Sequence, residues 1–149
     1  MHLVLELELP ADARLLATTR HTLAGYLEDV GADAEEQADV VLALDEACTN
    51  VIRHAFPCGE GSMRLRVSLD DATVTVQVED DGRGFDPGEV DVGEPDPGDV
   101  SGRGLRIIQA LMSSVRLESP TGTGGTRLRM QRHLRAGAPR RITDTCEAV

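Results

Sequence analysis

The sequence contains no lysine, because all 15 of its basic residues are arginines. A P-loop nucleotide site depends on a lysine that reaches the phosphates, and a Schiff-base enzyme depends on a lysine amine. The sequence therefore excludes both kinds of chemistry. If this chain binds a nucleotide, it must do so at a site of a different kind.

Aromatic residues are also scarce, with two Phe, one Tyr and no Trp in 149 residues. Because apolar residues still make up 40% of the chain, the core has to be aliphatic, and the length fits a single domain. No apolar run approaches the length of a membrane span, and the first residues do not resemble a signal peptide. These absences predict a soluble cytoplasmic protein.

The chain is poor in cysteine and strongly acidic. Cys48, Cys58 and Cys146 are odd in number and lack a CxxC spacing, so neither a disulfide framework nor a zinc site is expected. The formal net charge is -11. An acidic surface repels nucleic acid and anionic membranes, and we expect neither as a direct partner.

The spacing of apolar residues predicts the order strand, helix, helix, strand, strand, loop, helix, strand, strand. Residues 3–9, 63–69, 74–78, 115–118 and 126–132 have the period of strands, and 12–30, 33–55 and the segment from about Gly104 have that of helices. Residues 86–101 are typical of a long lid-like loop. We predict an α+β two-layer sandwich over 1–134, with helices on one face of a mixed, largely antiparallel sheet, and a mobile tail over 135–149.

Two polar residues of the second helix, Glu46 and Asn50, are four residues apart and therefore share a face. A carboxylate in that place can accept a proton from a hydroxyl, and an amide oxygen can bind Mg²⁺. Arg53 follows near the same face and can pair with phosphate. Taken alone, these residues fit a solvated helix face better than a site.

A second polar group, Asp80-Asp81-Gly82-Arg83-Gly84-Phe85, follows directly from a strand. The first carboxylate can accept a hydrogen bond from an exocyclic amine such as that of adenine, and the two glycines let the backbone approach a flat ligand. A calcium-binding loop is excluded because no glutamate stands at the required distance. A tight turn without a ligand is the remaining alternative.

Two glycine-containing segments come later in the chain. Ser101-Gly102-Arg103-Gly104-Leu105 opens a helix, whose free N–H groups and dipole favour phosphate. Thr123-Gly124-Gly125-Thr126 enters the last strand, where the final hydroxyl can hydrogen-bond near a base. Each segment is a weak signal by itself.

In combination and in this order, the four segments resemble the motifs of the Bergerat-fold ATPases, which include gyrase, histidine-kinase and heat-shock-chaperone ATP domains. The N box corresponds to Glu46 and Asn50, and the three glycine boxes to Asp80-x-Gly82-x-Gly84, Gly102-x-Gly104-Leu105 and Gly125-Thr126. The match extends over about residues 40–130. Within this superfamily, the segments 46–50, 80–87 and 102–105 are most similar to those of the bacterial anti-sigma factor serine kinases.

The resemblance implies an ATP- and Mg²⁺-dependent serine/threonine kinase. It also implies an anti-sigma-factor antagonist as substrate, a sigma factor as alternative partner, and a homodimer. Glu46 would be the base, Asn50 would hold Mg²⁺, and Asp80 with Thr126 would contact adenine. The other nucleotide contacts that it implies are Arg53, Gly82, Gly84, Gly102, Arg103, Gly104 and Leu105. Two alternatives stay open: a histidine-kinase catalytic domain acting in trans, and an ATP-binding module that sequesters a sigma factor without transferring phosphate.

Overall fold

The computed structural model describes residues 4–56, 60–83, 100–119, 121 and 124–135. Its strands and helices follow the predicted order. They are β1 (Val4–Pro10), α1 (Leu16–Asp29), α2 (Ala34–Asn50), β2 (Ser62–Asp70), β3 (Thr73–Asp80), α3 (Val100–Leu111), β4 (Ser114–Glu118) and β5 (Thr126–His133). A 3-10 turn, Ala13–Leu15, precedes α1, and a π-helical turn, Val51–Ala55, continues α2 without a break.

The strands form one five-stranded sheet in the order β1-β2-β3-β5-β4. All four described pairings are antiparallel. The predicted α+β two-layer architecture is confirmed, and the described part of the sheet is antiparallel throughout rather than mixed. Because β5 lies between β3 and β4, the end of β3 and the start of β5 are neighbours.

The core is aliphatic, as the composition predicts. Side chains from both layers have no solvent exposure, among them Leu23 on α1, Leu44 on α2, Ile108 on α3 and Val76 on β3. Burial of one such side chain contributes about 1.5–3 kcal/mol. On the edge strand β1, by contrast, the inward leucines are only half-buried.

The third helix begins at Val100, four residues before the predicted start near Gly104. Glycine has a low helix propensity, and the apolar periodicity starts only at Leu105, so the first turn carries little helical signal. The end of the predicted loop is therefore helical. Residues 84–99, including Gly84, lie outside the described residues.

The N-terminus of α2 is closed by a capping box. The side chain of Asp33 accepts a hydrogen bond from the N–H of Glu36 at 2.8 Å, and Glu36 Oε1 accepts one from the N–H of Asp33 at 3.2 Å. Glu36 is fully buried, and its Oε2 accepts a bond from the N–H of Arg135 at 2.9 Å. The chain just after β5 is thereby fixed to α2, and residues 136–149 of the predicted tail lie outside the described residues.

Candidate functional site

Glu46 and Asn50 lie on one face of α2 and are both half-buried. This face is turned toward the N-terminal part of α3. A Cβ atom added at Gly104 would lie 3.1 Å from Glu46 Oε2, 3.2 Å from Asn50 Nδ2 and 3.3 Å from Asn50 Oδ1. The structure thus brings the N box and the second glycine box together, at a point where only glycine leaves both polar groups undisturbed.

The amide oxygen at this point suits a hard cation. Asn50 Oδ1 approaches Gly104 beside the Glu46 carboxylate, and Mg²⁺ prefers oxygen ligands. In the part of the chain that the structure describes, no cluster of three or more His, Cys, Asp or Glu side chains could hold a metal alone. The residues therefore fit a Mg²⁺ ion that takes its remaining ligands from phosphates and water, which is how Mg²⁺ is commonly bound.

The π-helical turn Val51–Ala55 connects this face of α2 to the turn after β3. Its carbonyl group at Ala55 accepts a hydrogen bond from the N–H of Arg83 at 3.0 Å. A Cβ atom added at Gly82 would lie 2.3 Å from the same carbonyl oxygen, so any residue other than glycine would clash with it. π-helical turns occur frequently at functional sites, and Arg53 is exposed on this one.

Asp80 ends β3 and is only 2% exposed. Its Oδ1 accepts a hydrogen bond from the N–H of Gly82 at 2.8 Å, and the carboxyl group also accepts one from the N–H of Thr126. Burial raises the pKa of Asp80, and the two N–H donors oppose this effect. The result is a buried carboxyl group held in one orientation by backbone donors.

The start of β5 packs tightly against the end of β3. Thr126 is the register partner of Asp80, and a Cβ atom added at Gly125 would lie 1.8 Å from the backbone carbonyl oxygen of Asp80. The buried Ser119 hydroxyl donates to the carbonyl of Gly125 at 3.3 Å and lies 3.4 Å from Thr126 Oγ1. Sequence reasoning missed Ser119, because a single serine after a strand belongs to no motif.

The structure thus brings the predicted residues into two groups. Glu46, Asn50 and Gly104 meet between two helices, and Asp80, Gly82 and Thr126 meet at the ends of two strands. The π-helical turn joins the groups through Gly82. The remaining predicted positions are distributed around them: Gly102 and exposed Arg103 lie in the first turn of α3, half-buried Leu105 packs against the core, and Gly84 is outside the described residues.

The profile of the histidine kinase-like ATPase domain matches residues 9–132. The chain belongs to this family. Serine-protein kinase RsbW of Bacillus subtilis is 32% identical over 127 residues, which cover 79% of each chain. RsbW of Bacillus thuringiensis is 29% identical over 126 residues with the same coverage. The resemblance drawn from the four motifs is confirmed at the level of the family.

Solved structures agree with this assignment. The RsbU and RsbW domains of a Mycobacterium tuberculosis protein align with a TM-score of 0.63 at 26% identity, over 92% of this chain. The alignment covers only 34% of that longer chain. The SiaB–SiaC complex of Pseudomonas aeruginosa aligns with a TM-score of 0.61 at 16% identity, over 86% of this chain and 88% of that one, and shows the fold alone. Within the described residues of this protein, no helix has the length and apolar character to cross a membrane.

Proposed function

We propose that the protein is an ATP-dependent serine/threonine protein kinase that phosphorylates an anti-sigma-factor antagonist and sequesters a sigma factor. The main support is the close approach of Glu46 and Asn50 to Gly104, where an added Cβ atom would lie only 3.1 Å from the carboxylate and 3.2 Å from the amide. This contact joins a base and an Mg²⁺ ligand to a phosphate-binding helix N-terminus. The 32% identity with a serine-protein kinase supports the same function.

Asp80 recognises the adenine base in this proposal. Its carboxyl group accepts a hydrogen bond from the amino group, while the backbone N–H groups of Gly82 and Thr126 keep the carboxyl in place. Gly82 lets the chain pass close to the base, and the resemblance of the motif assigns the same role to Gly84, which lies outside the described residues. The Thr126 hydroxyl, half-buried beside Ser119, supports the same contact.

The phosphates lie at the N-terminal end of α3. Gly102 and Gly104 leave room for them at a helix end whose dipole favours negative charge. Arg103 and Arg53 are exposed and supply positive charge from two sides of the site. Leu105 packs against the core and anchors this turn of the helix.

Glu46 is the general base in the proposed reaction. It accepts the proton of the partner's hydroxyl group as that oxygen bonds to the γ-phosphorus, and the bond between the γ-phosphorus and the bridging oxygen of ADP breaks. Asn50 would hold Mg²⁺ together with phosphate oxygens. Mg²⁺, when bound, neutralises phosphate charge.

The partners, the homodimer and the cytoplasmic location belong to the proposal. They rest on the likeness of the motifs to anti-sigma factor serine kinases and on the RsbW relatives. A negative charge of -11 adds one physical reason, because it disfavours direct binding to nucleic acid or anionic lipid.

The test is phosphate transfer from γ-labelled ATP, with Mg²⁺, to candidate antagonist proteins. We expect acid-stable label on serine or threonine, and its loss in Glu46→Gln with ATP binding retained. Glu28→Gln removes an exposed carboxylate of α1 and should transfer normally. Acid-labile label would contradict the proposal in favour of a histidine kinase acting in trans. ATP binding without transfer to any partner would leave a sequestering module.

A further inference from the structure

Arg64 on β2 binds the residues on both sides of Asp80. Its Nη2 donates a hydrogen bond to Glu79 Oε1 at 2.7 Å. The same guanidinium donates to Asp81 Oδ2 at 2.9 Å and to Asp81 Oδ1 at 3.0 Å. One side chain therefore fixes both chain neighbours of the buried carboxyl group.

These contacts lie on the face of the sheet opposite to the helices. Successive side chains of a strand point to opposite faces, so Glu79 lies on the open face while Asp80 points into the protein. On the open face, Arg127 Nε also donates to Glu79 Oε2 at 2.9 Å. Because Arg127 follows Thr126, the network holds both strands of the Asp80–Thr126 pair.

The two bonds to Asp81 restrain the residue at which the chain leaves β3. After Asp80 the backbone turns toward the π-helical turn, where the N–H of Arg83 reaches the carbonyl of Ala55. Asp80, the last residue of β3, is paired with Met63 on one side and with Thr126 on the other, and the pairing with both strands ends there. The two parallel bonds from the planar guanidinium to Asp81 add geometric restraint just beyond the paired segment.

We propose that Arg64 is a positioning residue for base recognition: by holding Glu79 and Asp81, it aims the Asp80 carboxyl group and so sets the preference for adenine over a base without an amino group. The inference rests on the proposed role of Asp80. A displacement of about 1 Å in an accurately positioned group can lower the catalytic rate that depends on it by up to about 100-fold. Exposed ion pairs contribute little to stability, and the Arg64 side chain is 37% exposed, so the effect should fall on base selectivity rather than on folding.

Arg66 provides a matched control on the same strand and the same face. It is two residues from Arg64 and contacts Glu6 at 3.4 Å, with both side chains more than half exposed. Arg66→Met removes the same charge from the same surface but leaves Glu79 and Asp81 in place. An effect of the overall net charge on nucleotide affinity is therefore shared by the two variants, whereas the direct electrostatic effect of Arg64 on Asp80 is lost only in Arg64→Met.

The experiment measures the dissociation constants of ATP and of inosine triphosphate, both with Mg²⁺, for the full chain. Inosine has a carbonyl oxygen where adenine has its amino group. The wild type should prefer ATP by about 10- to 100-fold, the range for one hydrogen bond to a charged acceptor. In Arg64→Met we expect this ratio to fall by at least ~5-fold, with an unchanged ratio in Arg66→Met.

Each outcome separates the inference from the proposed function. A wild type that does not discriminate between the two nucleotides would overturn the assignment of Asp80, and the role of Arg64 with it. A wild type that discriminates, with a ratio unchanged in Arg64→Met, would overturn the inference alone. A parallel loss of affinity for both nucleotides would also overturn it. If Arg64→Met does not fold, Asp81→Asn removes the two-bond contact at an exposed position and should lower the same ratio.

Discussion

Substitution of Gly104 by alanine should separate the stability of the protein from its activity. The added Cβ would lie 3.1 Å from Glu46 Oε2 and 3.2 Å from Asn50 Nδ2. Both atoms are ends of flexible side chains, and a shift of a few tenths of an ångström relieves the contact. The fold can accept that shift, whereas the proposed base and metal ligand cannot move without changing the geometry of the site.

The expected changes have opposite signs. Within a helix, alanine is more stable than glycine by about 0.5–1 kcal/mol, and for a domain of this size each kcal/mol corresponds to a rise of about 2–4 °C in Tm. Displacement of Glu46 and Asn50 should lower the rate of phosphate transfer by about 10- to 100-fold. Thermal unfolding and labelled transfer at saturating ATP measure the two effects separately.

Gly25 in α1 is the matched control. Nothing lies within 4 Å of a Cβ atom added there, so Gly25→Ala should give the same gain in Tm with normal transfer. Two results would refute the reasoning: a Gly104→Ala variant that transfers phosphate at the wild-type rate, or one that loses stability where Gly25→Ala gains it. The first result would mean that phosphate transfer does not depend on the positions of Glu46 and Asn50 beside Gly104. The second would mean that these side chains cannot shift to make room for the added Cβ atom.

Four further results are expected. Gly125→Ala should lower the free energy of unfolding by about 1–3 kcal/mol, because its Cβ would lie 1.8 Å from the backbone oxygen of Asp80; urea unfolding measures the loss. Because burial raises the pKa of Asp80, the carboxyl stabilises the fold when it is protonated, and this contribution is lost as pH rises from its ordinary pKa through its raised pKa. ATP affinity should fall as pH decreases through the same interval, since the acceptor for the amino group is protonated there, and a titration of the dissociation constant against pH checks it. Glu36→Ala should lower the free energy of unfolding by about 1–3 kcal/mol, because it removes the two hydrogen bonds that the buried Glu36 side chain accepts from the N–H groups of Asp33 and Arg135.

Controls for these results come from the same parts of the chain. Gly124→Ala meets no atom within 4 Å but has a φ of +90°, so it should cost about 1–2 kcal/mol through backbone strain alone. Asp80→Asn should remove this one contribution to the pH dependence of stability and of affinity, and leave that of carboxyls with a lowered pKa such as Glu79; if the pH dependence of ATP affinity is unchanged in that variant, another group causes it. A Glu36→Ala variant as stable as the wild type would show that the capping box and the contact to Arg135 are not maintained in solution.

The order of the strands and helices, and the placement of Glu46 and Asn50 on one helix face, follow from the sequence for simple reasons. Strands and helices differ in period, and alternating residues such as Val74, Val76 and Val78 show it without ambiguity. Four-residue spacing places Glu46 and Asn50 on one helix face wherever the helix lies. Local rules suffice for such features, because each depends on neighbours in the chain.

Features that depend on distant residues were not predictable in this way. The insertion of β5 between β3 and β4 decides that Thr126 faces Asp80, and no periodicity encodes that order. The same holds for Ser119, whose burial depends on the approach of Gly125. Arg64 is a further example, since an alternating strand pattern marks it only as an outward residue. Its pairing with Glu79 follows from the register of β2 on β3.

The location of the two residue groups explains why the motifs are spread along the chain. Glu46, Asn50 and Gly104 belong to the helical layer, and Asp80, Gly125 and Thr126 belong to the sheet. In the described residues, Gly82 and Arg83 contact the carbonyl of Ala55. At this contact the helical layer meets the end of the sheet, next to both residue groups. A ligand with a flat base at one end and phosphates at the other can bridge such a junction, with each end held by a different layer. Glycine is therefore needed at Gly82, Gly104 and Gly125, where the backbone passes close to another group. These glycines are far apart in sequence because whole strands and helices lie between them in the chain.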